Sequence, residues 1–298
     1  MKRKLEISEL IFRIISYTLL TVFAICCLYP FIYTVSASLS GYQEVRDGLV
    51  VLFPKNVQLQ AFSDMFNNNS FWNAYTNTLF LTFYGTIWQL FLSILGAYAL
   101  SKKRLLFRKG FNFFLVFTMW FSAGLVPQYL NYLATKRVFR GVGIMDDKWL
   151  VVIAMGMAAM NIILLRNAFE NVPSEIEEAA IVDGATEMQV LWRVFIPMSK
   201  SIIATVALFF GISRWNGYFW ARQMISNTNE HPLQVFIRLR LEEFTDPERT
   251  TGWELLHSYA TDSLIYALIV CSIVPILIIY PFIQKYFAKG VNVGGVKE

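Results

Sequence analysis

Charge is scarce in this 298-residue sequence: 16% of residues are charged, against 56% that are hydrophobic. Soluble domains usually carry about a quarter charged residues, so the balance excludes an ordinary soluble fold and points to a membrane protein. Acidic residues are almost missing from the middles of the long apolar runs. A carboxylate inside a membrane is costly and is kept where it has a task such as proton relay, so this scarcity argues against a proton-coupled carrier. Asp262 stands at the edge of a run and is expected to cap a helix, while Arg214 is the one basic residue well inside a span. The three cysteines (Cys26, Cys27, Cys271) lie within apolar runs, where small buried hydrophobes are expected rather than a disulfide or a metal site. The two histidines, His231 and His257, are isolated and form no ligand pattern. No G-x-x-x-x-G-K-[ST], H-E-x-x-H, paired carboxylate or Ser-His-Asp pattern is present, so neither nucleotide hydrolysis nor hydrolytic catalysis has residues to carry it. The net charge of +5 invites a nucleic-acid reading, but the cations are scattered between apolar runs and form no basic face. Any energy source is therefore expected to lie on a partner.

What the chain does have is apolar length. A membrane-crossing helix needs about 20 mostly apolar residues. Six stretches qualify as candidates, at 11–37, 72–100, 111–133, 149–165, 201–220 and 263–287, the third interrupted by Gly124 and Pro127. Met1-Lys2-Arg3-Lys4 before the first run resembles a signal peptide, but no A-x-A-like site follows, so an uncleaved first span is expected. The reading is an all-α polytopic membrane protein with a single transmembrane domain over residues 1–298. Lysine and arginine concentrate on one side, most densely in the short loop Ser101–Gly110, which places both termini in the cytoplasm. The basic loop Lys136 to Arg140 falls on the opposite side and runs against that bias.

One polar island breaks the apolar pattern: EIEEAAIVDGATEMQVLWRVFIP, Glu175 to Pro197. Ser174 with Glu177 and Thr186 with Gln189 each match a capping box, and Gly184 between them suits a left-handed helix end. The pattern predicts a helix, a break, and a second helix running to Pro197. An amphipathic helix on the membrane surface is the alternative, but five carboxylates suit an anionic lipid surface poorly.

Glu178-Ala179-Ala180, Gly184 and Val194-Phe195-Ile196-Pro197 stand in the spacing E-A-A, three residues, G, nine residues, I-x-L-P. That segment resembles the E-A-A loop of ATP-binding-cassette importer permeases, and Glu-Ala-Ala-x-x-Asp-Gly-Ala is its form in carbohydrate importers. Arg166-Asn167, Gly124-Leu125-Val126-Pro127, Trp215-Asn216 and Pro232-Leu233-Gln234 extend the likeness, which is nearest to polysaccharide-uptake permeases. The resemblance implies a type I importer permease fold with a cytoplasmic coupling-helix loop over 174–197. It implies alternating access, driven by two ATPase subunits that bind the ATP and magnesium, with no cofactor on this chain and no catalysis by it. Further implied partners are a second, homologous permease subunit and an extracytoplasmic solute-binding protein, in a bacterial inner membrane. The loop's Glu178, Ala179, Ala180, Asp183, Gly184, Ala185 and Pro197 would dock on the ATPase, with Glu178 pairing a basic residue there.

For an oligosaccharide path, Trp215, Asn216 and Tyr218 combine aromatic rings with hydrogen-bonding groups at one end of the fifth span, and Asn161 in the fourth span is a further candidate. An interfacial aromatic belt explains Tyr218 and Trp220 equally well. Met155, Met157 and Met160 are read as packing. Arg214, Arg222, Arg238 and Arg240 suggest affinity for an acidic, uronate-containing sugar, since guanidinium binds carboxylate in two-point fashion; pairing with Glu242 and Glu243 is the alternative. A permease for another solute, a secondary carrier and a membrane enzyme are the rival readings.

Overall fold

The structure, a computed structural model, describes residues 7–143, 146–245 and 261–290. The helices, in chain order, are α1 (Ile7–Ser38), α2 (Tyr42–Arg46), α3 (Gln60–Phe66), α4 (Asn69–Ser101), α5 (Arg108–Trp120), α6 (Leu125–Gly141), α7 (Asp147–Ala154), α8 (Ala159–Glu170), α9 (Ser174–Val182), α10 (Glu187–Val190), α11 (Ile196–Met198), α12 (Lys200–Trp215), α13 (Phe219–Met224), α14 (Leu233–Thr245) and α15 (Thr261–Gly290). A π-turn, Leu191–Phe195, joins α10 to α11 without a break, so the run Glu187–Met198 is helical throughout.

The contacts separate into two units. The first comprises Met1–Asn69 and Ile237–Val274. Within it the loop after α1 folds back on the helix end: Ser36 Oγ donates to the Leu52 carbonyl at 2.6 Å, and the Lys55 amide donates to Ser40 Oγ at 3.0 Å. Ala37, Val45 and Val50 form a small core, with Tyr33 edge-on to Tyr266 at 5.7 Å. Most of α1 is exposed, including Cys26 and Cys27, so the expectation of buried cysteines is corrected there: those two face outward from a helix that this chain leaves uncovered. His257 falls outside the described residues.

The second unit comprises Ser70–Phe236 and Pro275–Glu298. Its core is Ile94 and Ala97 of α4, Ile162, Leu165 and Phe169 of α8, Val190, Leu191 and Phe195 of the coupling segment, and Val206 and Phe210 of α12. The polar island is therefore not separate from the bundle, because its inward face completes the bundle's core.

Among the described residues three helices are long and apolar enough to cross a membrane singly, α1, α4 and α15, and up to six crossings result if each bent pair counts as one. The pairs are α5 with α6 (114°), α7 with α8 (52°) and the Glu187–Met198 run with α12 (87°). The first bends where Gly124 takes φ +85°, the second where Gly156 takes φ +51°. Both values lie in the left-handed region that residues with a Cβ adopt reluctantly. Three sequence expectations are corrected. The fifth span ends at Trp215 rather than Trp220, because Asn216 and Gly217 break the helix and Tyr218 precedes α13. Ser174 is the first residue of α9 and Pro173 occupies its N-cap, so the anticipated Ser174 capping box does not form. Asp262 stands at the second described position of α15, not at the N-cap position expected for it.

The basic stretch from Lys136 to Arg140, expected as a loop, is instead the last part of α6, and its charge, on the side where few cations were expected, has a local explanation. Lys136 Nζ reaches Asp147 Oδ2 at 2.7 Å, the Met224 carbonyl at 3.1 Å and Ser226 Oγ at 3.0 Å, and Arg140 approaches Asp147 at 3.6 Å. Asp147→Asn is therefore expected to lower the melting temperature of the detergent-solubilised protein, because it leaves the Lys136 ammonium without its carboxylate partner. An unchanged melting temperature would show that this cluster contributes nothing.

Candidate functional site

Gly184 sits between α9 and α10 with φ +82°, and the amides of Gly184 and Ala185 donate back to the Ile181 and Ala180 carbonyls at 3.0 Å. These bonds satisfy carbonyls that the end of α9 would otherwise leave unpaired, which is the Gly-terminated helix end the sequence predicts. Thr186 caps the next helix: its Oγ1 accepts from the Gln189 amide at 3.4 Å, and Gln189 Oε1 accepts from the Thr186 amide at 2.8 Å. Two helices with a defined corner are the result.

The residue types divide sharply between inside and outside. Val190, Leu191 and Phe195 are buried, and Ala180 and Ala185 pack against the core that they join. Glu178, Ala179, Asp183, Gly184 and Pro197 are exposed. Val182, at the end of α9, is 85% exposed.

The segment is held by the short loop after α4, which sequence reasoning had used only for orientation. Lys102 Nζ pairs with Glu177 at 2.7 Å and lies over the rings of Tyr98 and Phe195, at 4.1 and 3.9 Å from their centroids. Burial pushes the Lys102 ammonium below its ordinary range, and Glu177 opposes that shift. Tyr98 Oη donates to Glu187 Oε2 at 2.9 Å, and Arg104 pairs with the same carboxylate. Burial acts to raise the Glu187 carboxyl, but Arg104 and Tyr98 outweigh it and hold the group low. Arg108 pairs with Glu170 at the end of α8. Between the basic loop and α9 lies a cavity of about 900 Å³, lined by Lys103 and Arg104 on one side and by Pro173, Glu175 and Glu178 on the other. Glu177 and Glu178, adjacent in sequence, thus differ in role. Glu177 is spent inside the chain, whereas Glu178 faces the cavity with no ion-pair partner among the described residues.

The residues anticipated for a sugar path are only partly gathered. Asn216 is exposed at the end of α12, its Nδ2 donating to the Ile212 carbonyl at 3.1 Å. Tyr218 accepts from Arg222 at 2.5 Å. Trp215 is buried, edge-on to Tyr75 at 6.1 Å, and lines an apolar cavity of about 580 Å³ between α4, α12 and α15. Asn161 is buried within α8. Arg238 and Arg240 pair with Glu242 and Glu243, as the alternative reading has it.

Arg214 requires a correction. It is buried, and each guanidinium nitrogen is engaged: Nε with Gln89 Oε1 at 2.8 Å, and the two terminal nitrogens with the carbonyls of Val151 (2.8 Å) and Val152 (3.0 Å). Those carbonyls belong to the last turn of α7, where the break at Gly156 leaves them without helical partners. Gln89 continues the repair, its Nε2 donating to the carbonyls of Met155 (3.2 Å) and Gly156 (2.6 Å). A Cβ at residue 85 would stand 2.7 Å from Arg214 Nε, so Gly85 provides the room. Broken backbone at membrane depth persists only where its polar groups are satisfied, and Arg214 with Gln89 does this. The guanidinium is committed to the fold, not to a substrate carboxylate. A glutamine in the middle of an apolar helix, one turn from a glycine, was the available sequence signal.

Comparison with known proteins agrees with this geometry. The family model described as binding-protein-dependent transport system inner membrane component matches residues 6–293. The polygalacturonan/rhamnogalacturonan transport system permease protein YtcP of Bacillus subtilis (strain 168) is 33% identical, over 96% of this chain and 98% of that protein. A solved structure of a bacterial ABC transporter involved in the import of the acidic polysaccharide alginate is 40% identical, with a TM-score of 0.86, over 96% of this chain and 100% of that one. A chain of a bacterial alginate ABC transporter in complex with an alginate pentasaccharide-bound periplasmic protein shares the fold, at 16% identity and a TM-score of 0.64, over 91% of this chain and 92% of that one.

Proposed function

Because the chain belongs to the family of binding-protein-dependent transport system inner membrane components, we propose that it is the permease subunit of an ATP-driven importer for acidic oligosaccharides of the uronate class. The observation that carries the transport role is the Glu175–Pro197 segment. Its inner face is built into the bundle core, and its outer face presents Glu178, Ala179, Val182 and Asp183 uncovered beside a cavity. A rigid, core-anchored element exposed at one end of a helix bundle is what a partner needs in order to move the bundle. The substrate class follows from the relatives: polygalacturonan and alginate are both polyuronates, and those similarities extend over nearly the whole chain.

In this reading the coupling end faces the cytoplasm, with both termini on that side, in a bacterial inner membrane. Two ATPase subunits hold the ATP and magnesium, this chain binds no cofactor of its own, and a second, homologous permease completes the path. An extracytoplasmic binding protein delivers the sugar at the opposite end. Trp215, Asn216 and Tyr218 line the route on this chain, with Asn161 deeper; Asn216 is the best exposed of them.

The test is uptake in proteoliposomes containing the assembled complex and its binding protein. ATP-dependent uptake of labelled oligogalacturonate or oligoalginate, unaffected by excess malto-oligosaccharide, is the expected result. Preferential uptake of the neutral sugar would overturn the acidic assignment. Uptake by this chain alone, driven by a proton gradient, would overturn the importer assignment.

A further inference from the structure

The cations at the coupling end fall into two sets. Lys102, Arg104, Arg108 and Arg166 are committed to Glu177, Glu187 and Glu170 within the chain. Lys103, Lys109, Arg193 and Lys200 are exposed and have no ion-pair partner among the described residues, and of these only Lys103 lines the cavity beside α9. Lys109 and Arg193 stand beside apolar residues that are also uncovered, and Lys200 follows Met198, which is 49% exposed. Trp192 is 54% exposed next to Arg193, and Leu106 and Phe107 are 79% and 84% exposed just before Lys109. Phe107 holds φ +58°, a conformation that disfavours a bulky residue, so the loop presents this ring outward against a local cost.

The orientation of these groups is set by the spans. The Glu187–Met198 run meets α12 at 87°, so with α12 crossing the bilayer the run lies in the membrane plane. Val190, Leu191 and Phe195 turn to the core, while Trp192 and Arg193 turn away from it and are exposed. The loop from Lys102 to Phe107 is six residues between two apolar helices, too short to leave the interface. α5, which follows, has no buried residue and exposes Phe113 and Phe117. Tyr98 and Lys102 bind Glu187 and Glu177, so loop and run lie at the same end of the bundle.

We propose that Trp192, Arg193 and Lys200, with Leu106, Phe107 and Lys109, form a surface that takes the anionic lipid headgroups of the adjoining leaflet. Tryptophan at the interface, apolar side chains inserted below it and unpaired cations at headgroup level are the chemistry of in-plane attachment to a negative bilayer. None of the six lines the cavity beside α9, so the surface is separate from the acidic docking face. The coupling segment is thereby divided: α9 turns its carboxylates toward a protein partner, and the run after Thr186 rests on lipid. That the leaflet is the cytoplasmic one rests on the proposed orientation; the headgroup chemistry does not.

The assembled complex in nanodiscs tests this through tryptophan emission, with Trp192→Phe identifying the Trp192 component. Brominated phosphatidylglycerol is expected to quench that component at least about twofold more than brominated phosphatidylcholine at equal mole fraction, because the anionic lipid accumulates at the cations. In Lys109→Gln/Arg193→Gln/Lys200→Gln the two lipids are expected to quench equally, with the ATPase subunits still co-purifying. Equal quenching by both lipids in the parent would overturn the proposal, as would no quenching by either. Loss of the ATPase subunits from the triple variant would assign the surface to that partner instead. This readout needs no uptake, so failure of the transport reading would register separately, as inactive proteoliposomes.

Discussion

Gly184→Pro is expected to lower ATP-driven uptake by at least about tenfold while the protein still inserts in the membrane and retains its helix content. Residue 184 holds φ +82° and donates its amide to the Ile181 carbonyl. Proline is fixed near φ −65° and has no amide hydrogen, so the corner between α9 and α10 must rearrange, at a cost of a few kcal/mol. That corner aims α9 relative to a run packed into the core through Val190, Leu191 and Phe195. Displacing it moves Glu178 and Val182 away from the proposed contact with the ATPase, and every 1.4 kcal/mol lost at such a contact is a factor of ten. Glu178→Lys reaches the same point differently. It reverses a carboxylate of α9 that lines the cavity without an ion-pair partner among the described residues, while Glu177 continues to hold Lys102. The measurement is uptake and ATP hydrolysis in the same proteoliposomes, with co-purification of the ATPase. Uptake near the parent level in both variants would remove the segment from the coupling path. Glu177→Gln is the contrast: its loss loosens Lys102 inside the chain, so it is expected to act on stability before it acts on partner binding.

The second large effect is expected at Arg214. Arg214→Met keeps an unbranched side chain but leaves the Val151 and Val152 carbonyls and Gln89 Oε1 buried without donors. An orphaned buried acceptor costs about 1–3 kcal/mol, so three of them approach the whole stability margin of many proteins. The variant is therefore expected to show a large fall in melting temperature, or failure to accumulate in the membrane. Arg214→Lys restores one donor group at a time and should recover only part of the loss, because an ammonium cannot reproduce the planar fork. Gly85→Ala tests the same arrangement from the other side. Its Cβ would press on the guanidinium at 2.7–2.9 Å, so a milder loss of the same kind is expected. If Arg214→Met kept parental stability and lost uptake of acidic sugars alone, the residue would be a substrate ligand after all.

These two sites show where the sequence was informative and where it was not. Apolar length, the Thr186–Gln189 cap, the Gly184 corner and the E-A-A spacing are all local signals. Each depends on residues within one or two turns of one another, so each could be read directly. The six apolar stretches likewise followed from hydropathy alone, since a bilayer asks only for length and polarity. The roles of charged residues did not follow, because their partners are remote. Arg214 finds Gln89 and the carbonyls of Val151 and Val152, and Glu177 finds Lys102, through packing of separate helices. Glu177 and Glu178 are alike in every local respect, and only the direction in which α9 packs made one internal and left the other for a partner. Likewise Arg214 is read from sequence as a cation well inside a span, free for an acidic ligand. Only the tertiary structure, by breaking α7 at Gly156 beside it, supplied the unpaired carbonyls that claim it. Pattern and length determined the class of protein; the satisfaction of buried polar groups, which is decided across the fold, determined which of its charges remain available for work.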